Sequence, residues 1–202
     1  MTAPPLRDPQ IERQLLEDYL DLLYADSNWV NLTRVPRADA WTRHIEESLD
    51  LVALREWSSG ERVLDLGSGG GIPGIPLAIT QPQLEVGLIE RDRAKAEFLS
   101  SCVVSLRLSA VQILPFDGLE LARSERFRLA DVLVSRAALP PRELFRVARR
   151  LLRVEGEGMV HVGASVSLTA ELLRAAGRVG LGDLQLVSSG RSRFLRFVKL
   201  SS

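Results

Sequence analysis

The chain has 202 residues, 46% hydrophobic and 26% charged, with 26 basic side chains balanced by 26 acidic ones. That composition supports the core of one ordinary domain, excludes a disordered segment, and argues against a general polyanion binder. A single cysteine, no apolar run near the roughly 20 residues that span a bilayer, and an N-terminus (MTAPPLRDPQ) without a signal-peptide core point to a cytoplasmic protein with no disulfide framework and no bound metal.

Residues 10–24 predict an amphipathic helix, with Ile11, Leu15, Leu16, Tyr19, Leu20, Leu22 and Leu23 on one broad stripe. A loop carrying Asn28 and Asn31 leads to Pro36, which opens a second helix over 37–55. Beyond Gly60 the pattern changes, and Arg62-Val-Leu-Asp-Leu66 reads as a short apolar strand running into a glycine-rich turn. Further strands at 84–90, 110–114, 131–135 and 159–162 alternate with helices at 92–107, 117–122, 141–152 and 165–176. Two last strands, 184–188 and 194–199, have no helix between them. Such alternation predicts an α/β fold with a mostly parallel seven-stranded sheet and an antiparallel C-terminal hairpin. The expected organisation is a helical N-terminal extension (1–59) packed on an α/β domain (60–202), the two forming one structural unit.

The zero net charge is a cancellation. Residues 1–61 hold six basic and twelve acidic side chains, 62–135 eight and nine, and 136–202 twelve and five. Arg136, Arg142, Arg146, Arg149, Arg150 and Arg153 form one basic run, spaced as one helix face from 142 onward; Arg193 belongs to the basic C-terminal group. Arginine forks suit phosphate, although a charge run is also what a solvated helix face looks like.

Ligands of open parallel sheets bind at the carboxyl ends of the strands, where strand order reverses. Asp65-Leu-Gly67-Ser68-Gly69-Gly70-Gly71 lies at such an end, and its glycines permit a tight turn that a ligand can approach closely. Glu90 ends the second strand, where an acid accepts hydrogen bonds from both hydroxyls of a ribose. Gly69-Gly70-Gly71-Ile72-Pro73-Gly74 also satisfies the dinucleotide pattern G-x-G-x-x-G. Asp65 would repel a pyrophosphate, however, and Pro73 and Pro76 remove N–H donors from the helix that would hold one. An acid there suits the amino group and sulfonium of S-adenosylmethionine, which is the favoured ligand. An NAD- or nucleotide-binding module stays open, as does a methyltransferase of the same fold acting on a small molecule.

Four segments carry a resemblance: Asn31-Leu-Thr33, Arg43-His44-Ile-Glu-Glu47-Ser48, Asp65-Leu-Gly-Ser-Gly-Gly-Gly-Ile-Pro-Gly-Ile-Pro76 and Ser135-Arg136-Ala137. In this order and at similar spacings they resemble the glucose-inhibited division protein B family, bacterial methyltransferases for guanine N7 of 16S ribosomal RNA. The resemblance implies a class I S-adenosylmethionine-dependent methyltransferase (Rossmann-like) fold and a monomer acting on 16S ribosomal RNA or the small ribosomal subunit. It implies that Gly67 and Ile72 line the methionine and sugar side of the cofactor, with Asp65, Ser68, Gly69 and Gly71 completing the loop. Glu90 would hold the ribose, and Asp117, Gly118 and Leu119 would border the adenine. Arg136 would face both cofactor and RNA as the catalytic residue. Asn31, Thr33 and His44 would close the pocket, and Arg142, Arg146 and Arg193 would meet RNA. Two departures from the family pattern stand out. Asp117-Gly118-Leu119 replaces an Arg-Ala-Glu-like loop, and Gly163-Ala164 stands where relatives carry Lys-Gly.

Guanine N7 carries an in-plane lone pair and no proton, so methylating it needs orientation and charge placement but no general base. This fits a sequence without a carboxylate–histidine constellation. Ser135-Arg136-Ala137-Ala138 stands where amino-group methyltransferases of this fold carry an Asn/Asp-Pro-Pro-aromatic loop, which argues against adenine N6 and cytosine N4. Cys102 reads as a packing residue, so a thiol nucleophile is not expected. Of the three tryptophans, Trp29 beside Asn31 is the candidate for base stacking. His161 alternates with Val160 and Val162 and takes the opposite strand face.

Overall fold

Asp8 starts the first helix by accepting a hydrogen bond from the Gln10 N–H, with Pro9 at the first helical position. This helix, α1 (Pro9–Tyr24), buries Leu16, Tyr19, Leu20 and Leu23, whose spacing puts them on one face. The computed structural model describes residues 8–25, 32–121, 123, 129–136 and 139–201. Asn28, Trp29, Asn31, Ala137 and Ala138 lie outside the described residues.

The single helix expected over 37–55 is three short turns of different pitch. A 3-10 turn (Arg37–Asp39) leads into a π-helical turn (Trp41–Glu46) and then α2 (Glu47–Val52). The π turn is wider, and it brings two adjacent residues, His44 and Ile45, to fully buried positions. Beyond it come β1 (Arg62–Leu66), α3 (Gly74–Thr80), β2 (Glu85–Ile89), α4 (Arg93–Ser105), β3 (Val111–Leu114) and α5 (Gly118–Leu121). The chain continues through β4 (Ala130–Arg136), α6 (Pro141–Leu151), β5 (Leu152–Val162), α7 (Ala170–Gly177), β6 (Leu181–Ser189) and β7 (Ser192–Lys199).

All seven strands form one sheet in the order β3-β2-β1-β4-β5-β7-β6. It is parallel except for β7, which runs antiparallel to β5 and β6, as the alternation pattern predicts. Boundaries differ from the expected ones in β5, in β6 (Leu181–Ser189 rather than 184–188) and in α7. β5 begins at Leu152, straight from the end of α6, because Leu152 already pairs with Ala130; a bulge then brings Glu157 opposite Val132. The helix expected from 165 begins only where the Thr169 hydroxyl accepts the Leu172 N–H and caps α7.

Period-two alternation divides the core between the two sheet faces. Val132 and Val134 of β4 pack with the α1, α3 and α4 side chains, while Leu133 packs with α6 and α7. Each such side chain contributes roughly 1.5–3 kcal/mol when fully buried, so both helical layers are held to the sheet. Strand order reverses between β1 and β4. The Tyr19 hydroxyl of α1 donates to the Gly70 carbonyl at 2.7 Å, which braces the glycine turn after β1. Among the described residues no helix is long and apolar enough to cross a membrane.

Candidate active site

After Leu66 the chain turns sharply through Gly67 and Gly69, whose φ angles of 72° and 57° fall in the left-handed region. The N–H groups of Gly67 and Ser68 both donate to the Ile89 carbonyl at 3.0 Å, and Ser68 Oγ donates to the Asp65 carbonyl at 3.0 Å. A cavity of about 270 Å³ opens beside this turn. Leu66, Gly67 and Gly69 line one wall, and Ile89, Glu90, Arg91 and Lys95 another; Phe116, Asp117, Gly118 and Leu139 complete it.

Glu90 is buried at the edge of the cavity, with Oε2 accepting from the Gly69 N–H and Oε1 from the Asp92 N–H, both at 2.8 Å. A carboxylate has about four acceptor positions, so its lone pairs still serve two ribose hydroxyls. Asp117 accepts the Leu119 N–H at 2.9 Å with Oδ1, capping α5, while Oδ2 lies 3.4 Å from Arg91 Nη1. Gly118 faces this cavity, but Leu119 lines a different one. Successive helical residues point about 100° apart, which takes Leu119 away from the expected adenine edge. Phe116, Lys95 and Leu139 escaped the sequence reading. Only Phe116 carried a signal, an aromatic side chain just past a strand end and 44% exposed.

Asp65 does not line the cavity. Its side chain is buried behind the turn, Oδ2 accepts the Gly74 N–H at 3.1 Å, and Oδ1 has no hydrogen-bond partner among the described residues. Burial pushes its carboxyl up to about 7, so it is not the fixed anion the sequence suggested. Ser68, Gly71 and Ile72 are likewise buried outside the cavity lining; Gly71 packs on Ile75 and Leu99. The first turn of α3 has no donor left for a pyrophosphate. Pro73 and Pro76 lack an N–H, Asp65 takes that of Gly74, and the Gly71 carbonyl takes that of Ile75 at 2.7 Å. This geometry counts against dinucleotide binding.

Arg136 ends β4 opposite His161 of β5. Its Nη1 donates to the Arg43 carbonyl at 3.0 Å and lies 3.4 Å from His44 Nδ1 and 3.8 Å from Glu47 Oε2. On the far side of the ring, His44 Nε2 is 2.9 Å from Thr33 Oγ1 and 3.3 Å from the Tyr24 hydroxyl. Glu47 also reaches Arg43 Nη1 at 3.1 Å and His161 Nε2 at 3.9 Å. Burial, followed by the Arg136 charge, pushes His44 down to about 4, and burial lowers His161 as well. Thr33 and His44 therefore join Arg136 rather than the cavity, and Arg136 itself is not among the cavity-lining residues. His161, set aside on its strand face, belongs to this cluster.

The remaining arginines do not form one helix face. Arg142 pairs with Glu171 at 2.6 Å, Arg153 lies in β5 beside Asp131, and Arg193 donates to the Ala164 carbonyl at 2.6 Å. Arg146 lines a separate cavity. Cys102 is buried, which raises its thiol to about 12 and leaves it unreactive. Among the described residues, no three His, Cys, Asp or Glu side chains gather where they could hold a metal ion.

This sheet order, with a glycine turn after β1 and a carboxylate ending β2, defines the class I S-adenosylmethionine-dependent methyltransferase fold. A crystal structure of MtNAS in complex with MTA and tNA superposes with a TM-score of 0.63 at 20% identity, over 95% of this chain and 71% of that one. TrmN from Thermus thermophilus gives 0.56 at 22% identity, over 84% and 55%. A family described as rRNA small subunit methyltransferase G (GidB) matches residues 12–180, and the chain belongs to that family. Proteins named ribosomal RNA small subunit methyltransferase G are similar in sequence. The one from Sorangium cellulosum is 38% identical over 124 residues, 60% of this chain and 52% of that protein. The one from Chromobacterium violaceum is 37% identical over 156 residues, 77% and 71%. The match thus spans about half the length of the Sorangium protein. S-adenosylmethionine is the cofactor that goes with this fold and family.

Proposed function

We propose that the chain transfers a methyl group from S-adenosylmethionine to N7 of a guanine in 16S ribosomal RNA. In this reading it works as a cytoplasmic monomer on the RNA or the small ribosomal subunit, with residues 1–59 and 60–202 acting as one unit. The observation that carries the reading is Glu90, held by the Gly69 and Asp92 N–H groups at the cavity edge with acceptor capacity to spare. When bound, S-adenosylmethionine supplies an electrophilic methyl on its sulfonium. Glu90 takes the ribose hydroxyls, and the backbones of Gly67, Gly69 and Gly118 give the cofactor close passage. Asp65, Ser68, Gly71 and Ile72 support the turn from behind.

Arg136 is the catalytic residue of this reading. It donates to guanine O6 or a neighbouring phosphate and leaves N7 free, since a bidentate O6/N7 grip would block the reacting lone pair. Its side chain is 29% exposed and has donors besides Nη1 to offer. Thr33 lies on the substrate side, the role given to Asn31 falls outside the described residues, and Arg142 and Arg193 contact RNA only by exchanging their present partners. The neutral His44 and the buried thiol of Cys102 fit a transfer that removes no proton.

Incubation with tritiated S-adenosylmethionine and either naked 16S ribosomal RNA or assembled small subunits tests the proposal. Label in one of these substrates is the expected result. Label in neither, with S-adenosylhomocysteine binding intact, would leave the small-molecule alternative.

A further inference from the structure

We propose that a second cavity, walled by arginines on the flank of the sheet, grips the phosphate backbone of the RNA away from the reacting base. This inference rests on the ribosomal RNA reading above. The cavity measures about 700 Å³, larger than the cofactor cavity. Arg123 beyond α5, Arg146, Arg149 and Arg150 of α6, and Arg178 just past α7 surround Leu119, Val179 and Leu200. None of the described residues lining it is acidic.

Several other arginines among the described residues have an acid opposite. Arg13, Arg43 and Arg93 each meet a glutamate four residues on, namely Glu17, Glu47 and Glu97. Arg142 and Arg153 have Glu171 and Asp131. Arg146 and Arg150 instead stand four residues apart on the same helix, an unfavourable like-charge pair, and Arg123 and Arg178 converge on them from other elements. Lys199 lies buried beneath, donating to the Leu152 carbonyl, and the Arg149 charge adds to burial in lowering its pKa. Such an arrangement becomes favourable once multivalent anions fill it, and guanidinium forks match phosphate oxygens.

The lining favours a polynucleotide backbone over a free nucleotide. No aromatic ring is present among the described lining residues for a base to stack on. Position agrees with this. Gly118 lines the cofactor cavity and Leu119 the arginine cavity, so α5 separates the two. Leu139, just before α6, lines the cofactor cavity, and Arg146 to Arg150 follow about 8–14 Å along the helix from Pro141. One RNA strand can reach both.

The test compares wild type with the Arg146→Glu/Arg150→Glu double variant, with Arg178→Glu, and with Arg146→Lys/Arg150→Lys. Anisotropy with labelled 16S ribosomal RNA fragments across a salt series reads RNA binding without methyl transfer. Calorimetry with S-adenosylhomocysteine reports whether each variant is folded. The double reversal should weaken RNA binding about tenfold or more and lower the slope of log K against log salt by about 1.4–1.8, near 0.7–0.9 per lost phosphate. The lysine pair should keep most of the affinity, because charge suffices at a phosphate. Unchanged affinity and slope in folded glutamate variants would overturn the proposal. So would micromolar binding of a nucleoside triphosphate or inorganic phosphate that only these variants lose, since the cavity would then serve a small anion. If the wild type binds RNA through these arginines yet methylates none, the assigned reaction fails and this inference stands.

Discussion

His44 Nδ1 lies 3.4 Å from Arg136 Nη1. A guanidinium can only donate, so Nδ1 accepts and the ring proton sits on Nε2, directed to Thr33 Oγ1 at 2.9 Å. A π-helical turn at the N-terminal end of the chain thereby fixes the orientation of the arginine that ends β4.

His44 is therefore a positioning residue. His44→Ala should lower kcat for methyl transfer at least tenfold, since misorientation alone costs that much, while S-adenosylhomocysteine affinity stays within about threefold. His44→Asn, whose amide oxygen can replace Nδ1 as acceptor, should recover part of the loss. Arg136→Ala should abolish transfer with the same small effect on the cofactor. Equal damage by the alanine and asparagine variants would assign His44 to packing alone.

Glu90→Gln should weaken cofactor binding. The amide then turns its NH2 toward either the Gly69 or the Asp92 N–H, donor against donor. A mismatch of this kind costs about 1–3 kcal/mol, roughly five- to 150-fold in Kd by calorimetry.

Tyr19→Phe removes the buried hydroxyl that donates to the Gly70 carbonyl. Urea unfolding should show a loss of about 1–3 kcal/mol, with a smaller loss of cofactor affinity because the turn loses its brace from α1. No change in either would mean that the helical layer packs beside the turn without supporting it.

Asp65 and His44 make opposite demands as pH changes. Asp65 titrates near 7 in the folded chain and near 3.8 unfolded, so the native state holds the extra proton and stability falls as pH rises through that window. His44 titrates near 4 folded and near 6.5 unfolded, so there the unfolded state holds the extra proton and stability rises with pH. Each slope approaches about 1.4 kcal/mol per pH unit, and between pH 4 and 6.5 the two nearly cancel. Relative to wild type, Asp65→Asn should gain stability as pH rises across this range, and His44→Asn should lose it. Parallel curves for all three proteins would contradict the burial assigned to these groups.

What the sequence made legible was local. Strand periodicity, the glycine turn and an acid at the end of β2 each reside in a few adjacent residues; the turn, the acid and the existence of every strand match expectation, although β5 and β6 extend beyond their expected ends. Properties set by distant partners were not legible. Asp65 turns to Gly74, Arg136 reaches Arg43 across the chain, and Arg142 is taken by Glu171. The arginine run looked like one helix face because spacing cannot reveal which side chains have an acid opposite, or that Arg123 and Arg178 close a cavity with Arg146 and Arg150. Leu119 misled for a related reason, since one step along α5 moves a side chain from one cavity to the other.

Which atom receives the methyl group decides the matter. Small-subunit ribosomal RNA lacking the modification, incubated with the protein and S-adenosylmethionine, then digested to nucleosides and resolved by mass spectrometry, reads it directly. One new 7-methylguanosine per RNA is expected, absent with Arg136→Ala. Methyl on another base or another atom of guanine, or none in RNA while a small molecule is methylated, would contradict the proposed reaction.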